Sequence, residues 1–175
     1  VGTHPELVEL IVSRAETVTG DPDVGPGVGL AIVGHGTDRH EASGASTRDH
    51  AERIRAMDRF DAVEALFIDE SPFASTLLDR FETDSIVVVP LFVANGPHAT
   101  EDVPIAIGLP ADPSAPVTIR DKWLWYADAV GTDPALAHVI ADRARSGNDR
   151  AAESHTSVAD EAIDAFGRWL RAGES

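Results

Sequence analysis

The 175-residue sequence predicts an α/β fold, a three-layer sandwich with a four-stranded parallel sheet between helices. Two observations lead to this fold class. Short apolar runs alternate along the chain with longer segments of helical periodicity, and strands joined by crossover helices lie parallel. The apolar runs are continuous rather than alternating, which is typical of strands that are buried on both faces.

Four strands are predicted, each an apolar or β-branched run that ends near a glycine, a proline or an acidic residue. The strongest run contains five β-branched residues, and the weakest has only three residues in all. In chain order the predicted strands are residues 29–33, 63–68, 85–93 and 117–119.

Five helices are predicted from apolar residues that recur three or four positions apart, several of them with a proline or a Thr-Glu pair at the start. Together with the strands they give the alternation that defines the fold class. The predicted helices are residues 47–60, 72–81, a segment starting at Thr100, 134–145 and 157–170.

Charge narrows the function classes. The chain has 30 acidic and 14 basic residues, a formal net charge of −16, which disfavours a nucleic-acid partner because phosphate binding depends on Lys and Arg. Lys122 is the only lysine. A dense carboxylate surface with almost no lysine predicts a salt-adapted, halophilic protein in which salt screens the self-repulsion.

The sequence contains no cysteine, which excludes disulfides, zinc–thiolate sites and a Cys nucleophile. A metal must therefore bind to imidazole, carboxylate or backbone oxygen. No apolar run approaches the roughly 20 residues of a membrane span, and no signal peptide is visible, so we expect a cytoplasmic protein without membrane contact. Nucleotide-binding glycine motifs are also missing, so no nucleotide cofactor is expected.

An internal repeat affects the domain organisation. Residues 1–15 resemble residues 130–144 at an offset of 129, with Val, Gly, Thr, Pro, Leu, Ile, Arg and Ala recurring in register. We interpret residues 1–19 as the terminal helix of a preceding module, repeated at 130–145, and residues 28–172 as an α/β module. The alternative is that two amphipathic helices share a Gly-Thr-x-Pro start, since proline is favoured there.

Two histidines follow predicted strands directly. His35 lies between glycines after the first strand, and His98 follows the third. Parallel strands end at one edge of a sheet, so both imidazoles are expected in one cavity, where they could bind a divalent metal and carry protons. Glu101, three residues after His98, would face the same side of a helical turn. Two histidines and a carboxylate suit Co, Ni or Fe where sulfur ligands are missing.

Each of these residues has a simpler interpretation. A histidine in a glycine-rich turn often serves only as a capping or hydrogen-bonding residue, and Glu101 and Asp102 also fit as plain acids in a helix first turn. Asp69 and Glu70 end the second strand at the same edge, where they line either the cavity or an ordinary turn. Four further histidines lie in polar or helical surroundings and are expected at the surface: His40, His50, His138 and His155.

The motifs together resemble the CbiX-type sirohydrochlorin cobaltochelatase family, the class II tetrapyrrole chelatases. The order and spacing match from about Gly29 to Pro104, and the start of the predicted helix at 134–145 resembles the end of a family module. The resemblance rests on Val-Gly-His-Gly-Thr at 33–37, Ala-Leu-Phe-Ile-Asp at 65–69 with Pro72, Val-Val-Val-Pro-Leu-Phe at 87–92, and Gly-Pro-His-Ala-Thr-Glu-Asp-Val-Pro at 96–104.

The resemblance implies a flavodoxin-like chelatase module, a lyase of cobalamin and tetrapyrrole biosynthesis that inserts a divalent metal ion into sirohydrochlorin without ATP. Co²⁺ is the favoured metal, with Fe²⁺ and Ni²⁺ open. By motif position His35 and His98 would bind the metal and take the pyrrole protons, with Glu101 in support. Arg39 and Arg120 are candidates to bind the carboxylates of the tetrapyrrole.

The family includes short chains of one module that pair as dimers and long chains with two modules in tandem. The internal repeat fits the long form, of which this chain would be the C-terminal module. The partners implied are therefore the tetrapyrrole substrate and a second chelatase module, in tandem or in a homodimer. In that setting the alternative function is a non-catalytic metal-binding or structural half-module.

Overall fold

The computed structural model describes residues 3–21, 24–37 and 44–145. The described residues fall into two compact units, of which Gly2–Leu136 holds the sheet, and residues 137–145 of the other unit are helical. The predicted helix at 157–170 lies outside the described residues. The elements of the first unit are α1 (Leu7–Thr19), β1 (Val28–Gly34), α2 (Ala45–Arg55), β2 (Ala62–Phe67), α3 (Leu77–Arg80), β3 (Ser85–Pro90), α4 (Val103–Ala106), β4 (Val117–Ile119) and β5 (Lys122–Tyr126).

The first unit is built on one sheet with strand order β2-β1-β3-β5-β4. The first four strands in this order are parallel, and β4 pairs antiparallel with β5. The predicted runs of the first three strands are thus β1, β2 and β3. Strands β1 and β3 are buried on both faces of the sheet, and the edge strand β2 leaves Ala62 and Glu64 partly exposed.

The predicted four-stranded parallel sheet needs a correction at one edge. The sheet has five strands, and its fourth parallel strand is β5, which the apolar pattern missed. The run 117–119 is instead the short antiparallel edge strand β4. Arg120 and Asp121, both at positive φ (48° and 65°), form the two-residue turn that reverses the chain between them.

Helices cover both faces of the sheet. Helix α1 contacts β3 and β5, and α2 contacts β1 and β2. On the other face, α3 and α4 pack on the alternate side chains of the strands, among them Ala31, Val33 and Val88. The unit therefore has the three layers that the sequence predicts.

Helix α1 is part of the outer layer of this unit and buries Leu7, Leu10 and Ile11 among other residues. The segment before α1 and the repeated segment share one local hydrogen bond, from a backbone amide to the side chain two residues earlier. His4 Nδ1 accepts a hydrogen bond from the amide of Glu6 (3.3 Å), and Asp133 Oδ1 accepts one from Ala135 (2.9 Å). The repeat thus extends to local geometry, while the origin of α1 in a preceding module stays a prediction. None of the described helices is long and apolar enough to cross a membrane.

Candidate functional site

The turn after β1 presents His35 at the carboxyl edge of the sheet. Gly36 has a φ of +69°, and a Cβ there would lie 2.6 Å from the Cβ of Glu70, so the turn requires glycine. The backbone carbonyl of His35 accepts hydrogen bonds from the amides of Ile68 and Asp69. These bonds tie the turn to the end of β2 and leave the imidazole 46% exposed.

His98 opens a π-helical turn, His98–Asp102, at the same edge. Its backbone carbonyl accepts a hydrogen bond from the amide of Val103, five residues later, which makes the turn wider than an α-helical one. The imidazole stacks on the ring of Phe92, with 6.2 Å between ring centroids, and is 53% exposed. Both candidate histidines are therefore open to solvent.

The structure brings the two imidazoles together. Their ring centroids are 4.8 Å apart and the rings are nearly perpendicular, at 88°. His35 Nδ1 lies 2.8 Å from the carbonyl oxygen of Gly36, and His98 Nδ1 lies 2.6 Å from Asp102 Oδ2. Because both partners can only accept, each Nδ1 carries a hydrogen, and each neutral ring keeps a lone pair on Nε2 for a metal or a proton.

The two acids that end β2 have different roles. The carboxylate of Asp69 is exposed and lies 3.7 Å from His35 Nδ1, at the rim of the site. Glu70 turns away and accepts hydrogen bonds from the guanidinium of Arg48 and from the amide of Thr37. The Arg48 bond, supported by the Thr37 amide, lowers the pKa of Glu70 despite partial burial. Glu70 thus fastens the His35 turn to α2.

The wider turn changes which acid faces His98. The helical spacing predicts Glu101, but the π-turn brings the residue four positions on, Asp102, to the imidazole. Among the described residues no group of three His, Asp or Glu side chains is arranged to hold a metal ion, so Glu101 does not form a three-ligand set with the two histidines. A ligand role for Glu101 stays a prediction.

The two candidate arginines are not brought to the site by the described structure. Arg39 lies outside the described residues. Arg120 lies in the turn between β4 and β5, at the amino edge of the parallel strands, and pairs with the exposed Asp79 (3.1 Å). The reason is the antiparallel direction of β4, which puts its end at the edge opposite the two histidines.

Of the other histidines, His138 is exposed as expected. His50 was expected at the surface, which is wrong, because its side chain is fully buried in α2. His40 and His155 lie outside the described residues.

Sequence patterns missed one residue that holds the loop before His98. The side-chain amide of Asn95 donates to Asp128 (2.8 Å) and accepts from the backbone amide of Ala129 (2.8 Å). In the sequence, Asn95 next to Gly96 indicates only a turn. Its contacts with Asp128 and Ala129 become visible once β3 is known to pair with β5, because these residues follow the two strands.

Comparison with known proteins identifies the family. The CbiX family model matches residues 29–147. The chain belongs to the CbiX family. The match covers β1 to β5 and both histidine turns, and it confirms the resemblance that the sequence motifs indicate.

Two relatives show how the chain compares with family members of different length. It is 44% identical over 148 residues to a probable sirohydrochlorin cobaltochelatase of Halobacterium salinarum, covering 82% of this chain and 51% of that protein. It is 30% identical to a sirohydrochlorin cobaltochelatase of Methanopyrus kandleri, covering 66% of this chain and 94% of that protein. The chain thus spans about half the length of the Halobacterium relative, whose source agrees with the salt-adapted composition.

A solved CbiX structure has the same fold. The protein described as the terminal enzyme for biosynthesis of siroheme in denitrifying bacteria superposes with a TM-score of 0.61 at 24% identity, covering 81% of this chain and 57% of that one. At this identity the likeness concerns the α/β architecture.

Proposed function

We propose that this chain inserts a divalent metal ion, Co²⁺ in the first place, into sirohydrochlorin without a nucleotide. Membership of the CbiX family and the names of the two relatives support the reaction. The observation that carries the proposal is the pair of imidazoles with 4.8 Å between their ring centroids, both with Nδ1 occupied by an acceptor.

In this proposal the metal is a substrate that the two Nε2 atoms hold before transfer. Neutral imidazole is a good ligand for Co, Ni and Fe ions, and the sequence offers no thiolate that would compete. Imidazole and carboxylate do not by themselves select among these metals. The preference for Co²⁺ therefore rests on the names of the relatives.

Insertion also requires an acceptor for protons. Two pyrrole N–H bonds break, the metal binds the macrocycle nitrogens, and two protons leave, with no change of oxidation state. Once the metal has moved to the macrocycle, the vacated Nε2 atoms of His35 and His98 accept these protons. The carboxylate of Asp102, bonded to His98 Nδ1, then stabilises the imidazolium by a charge-assisted hydrogen bond.

One observation favours a second candidate, a metal-binding half-module that works only beside another module. The described residues contain no group of three His, Asp or Glu side chains arranged to hold a metal ion, and the chain spans about half of the Halobacterium relative. In that case the partner module would complete the site, as a tandem neighbour or as a second copy.

The experiment that tests the proposal mixes the purified chain with Co²⁺ and sirohydrochlorin, without ATP, and follows the visible spectrum. We expect conversion by the native chain and a rate at least about 10²-fold lower for His35→Ala and for His98→Ala. His138→Ala is the matched control, because it removes an exposed imidazole from the other compact unit.

Three outcomes would count against the proposal or its site. No conversion by the chain alone, followed by conversion when a second module is added, supports the half-module. Full conversion by either site variant removes that histidine from the site. A strict need for ATP contradicts the nucleotide-free reaction.

A further inference from the structure

The π-turn that presents His98 contains a carbonyl for which the backbone of the turn has no hydrogen-bond donor. In a π-turn each carbonyl accepts a hydrogen bond from the amide five residues later, and here the carbonyl of His98 accepts one from the amide of Val103. The next carbonyl, that of Ala99, would need the amide of residue 104. That residue is Pro104, which has no N–H to donate.

The missing donor comes from the neighbouring strand. The hydroxyl of Tyr126, the last residue of β5, lies 2.5 Å from the carbonyl oxygen of Ala99 and donates to it. Ala99 is buried, so its carbonyl would be destabilising there without a hydrogen-bond donor, because it would lose its water without gaining a partner. Burial raises the pKa of Tyr126 further above its usual value, so the hydroxyl keeps its proton at all working pH values.

We propose that Tyr126 is a positioning residue for His98. Its hydroxyl replaces the amide that Pro104 lacks and fixes the peptide between Ala99 and Thr100, one residue after His98. Tyr126 is held in turn by the β-sheet, in register with Val88 of β3. The sheet thereby sets the position of the His98 ring against His35, and the inference rests on the proposed use of these two rings.

Other bonds hold the rest of the loop, so loss of the hydroxyl should affect the turn and not the fold. The amide of Gly131 donates to the carbonyl of Phe92 (2.8 Å), and Asn95 bonds to Asp128. Tyr126→Phe keeps the ring and all of these contacts. We therefore expect a folded variant with a looser His98 turn.

The experiment compares Tyr126→Phe with Tyr126→Phe/Pro104→Ala, in which the amide of the new alanine can donate to Ala99. Pro104→Ala alone shows what the second substitution does by itself. Trp123→Phe is the matched control, because it changes a half-exposed aromatic residue of β5, the strand that carries Tyr126. Two readouts are used. NMR of the imidazole nitrogens reports the Nδ1–H form of His98, and steady-state kinetics separates kcat from KM for Co²⁺ insertion.

We expect Tyr126→Phe to lower kcat about tenfold with little change in KM for sirohydrochlorin, and to reduce the Nδ1–H form of His98. The double variant should recover most of both, while Pro104→Ala and Trp123→Phe stay near the native values. A merely structural role would change the stability and leave the His98 signals of the folded protein as they are.

The proposal is overturned if the His98 signals of Tyr126→Phe match the native ones, or if the double variant recovers nothing. The first result would show that the hydroxyl does not position the ring, and the second that the missing amide is not what it replaces. If the native chain inserts no Co²⁺, the proposed function fails, and the NMR comparison still decides the role of Tyr126.

Discussion

Replacing Asp102 with Asn tests the carboxylate–imidazole pair that the π-turn creates. The native carboxylate accepts a 2.6 Å hydrogen bond from His98 Nδ1. An Asn side chain offers either an oxygen or an NH₂ group, and the NH₂ group bonds only to an Nδ1 without hydrogen. The ring hydrogen then moves to Nε2. Asp102→Asn should therefore lower the fraction of His98 rings with a free Nε2 lone pair.

The size of the effect follows from the exposure of the pair. The side chains of His98 and Asp102 are 53% and 49% exposed, so water screens much of their charge interaction. Loss of the acceptor behind a metal-binding histidine costs about 10- to 100-fold in metal affinity or activity. Because the pair is half exposed, we expect the lower end, about tenfold, in both Co²⁺ affinity and insertion rate.

Glu101→Gln is the matched control, because it makes the same change of charge one residue earlier. Co²⁺ is titrated into both variants by calorimetry, and the initial rate of insertion is then measured by absorbance. Asp102→Asn should be the weaker variant in both assays. A native-like Asp102→Asn together with a tenfold weaker Glu101→Gln would refute the reasoning and support the predicted ligand role of Glu101.

Three further predictions concern the surroundings of the site. At Gly131 a Cβ would lie 2.1 Å from a backbone oxygen of the loop before the π-turn, so Gly131→Ala should cost about 1–3 kcal/mol in denaturant unfolding. Gly96→Ala, where a Cβ meets nothing within 4 Å, should be nearly neutral, and equal losses would contradict the steric argument. Arg48 lowers the pKa of Glu70 in the folded protein, so the ionised Glu70 stabilises the fold at pH values above its unfolded-state pKa. This stabilisation is lost as the pH falls through the folded-state pKa. Glu70→Gln should therefore lower the denaturant concentration at the unfolding midpoint at neutral pH and have little effect at strongly acid pH. A loss of stability that is the same at all pH values would argue against the ion pair. Arg120→Ala, at the far edge and in an exposed ion pair, should leave KM for sirohydrochlorin unchanged and stability within about 0.5 kcal/mol. A raised KM would return Arg120 to the substrate site.

The parts of the sheet that sequence reasoning found are those where burial decides the residue types. Strands β1 and β3 are buried on both faces, so their continuous runs of Val, Ile and Leu indicate buried parallel strands. Strand β5 was missed because it stands next to the edge strand, carries two tryptophans and a lysine, and leaves Trp123 half exposed. The turn before it uses Arg120 and Asp121 at positive φ, without the Asn-Gly or Asp-Gly pair that signals a hairpin.

At the site, topology could be predicted and the local turn could not. Two parallel strands that are each followed by a histidine place these residues at one edge, and the rings are indeed neighbours. The choice between Glu101 and Asp102 depends on one extra residue in the turn, which ordinary helical spacing does not anticipate. Contacts such as that of Tyr126 with Ala99 join residues 27 positions apart and need the strand pairing to be known first.

The number of ligands is itself informative about the proposed reaction. A resident structural metal is enclosed by four protein ligands, which bind it too firmly for transfer. A metal that is a substrate must leave for the macrocycle, so two neutral imidazoles, half exposed and backed by acceptors on Nδ1, suit a site that holds the ion briefly. In the proposed reaction each Nε2 has two successive partners, first the metal and then a pyrrole proton. Metal binding and protonation must then compete for the same lone pair, and added acid should weaken the binding of Co²⁺.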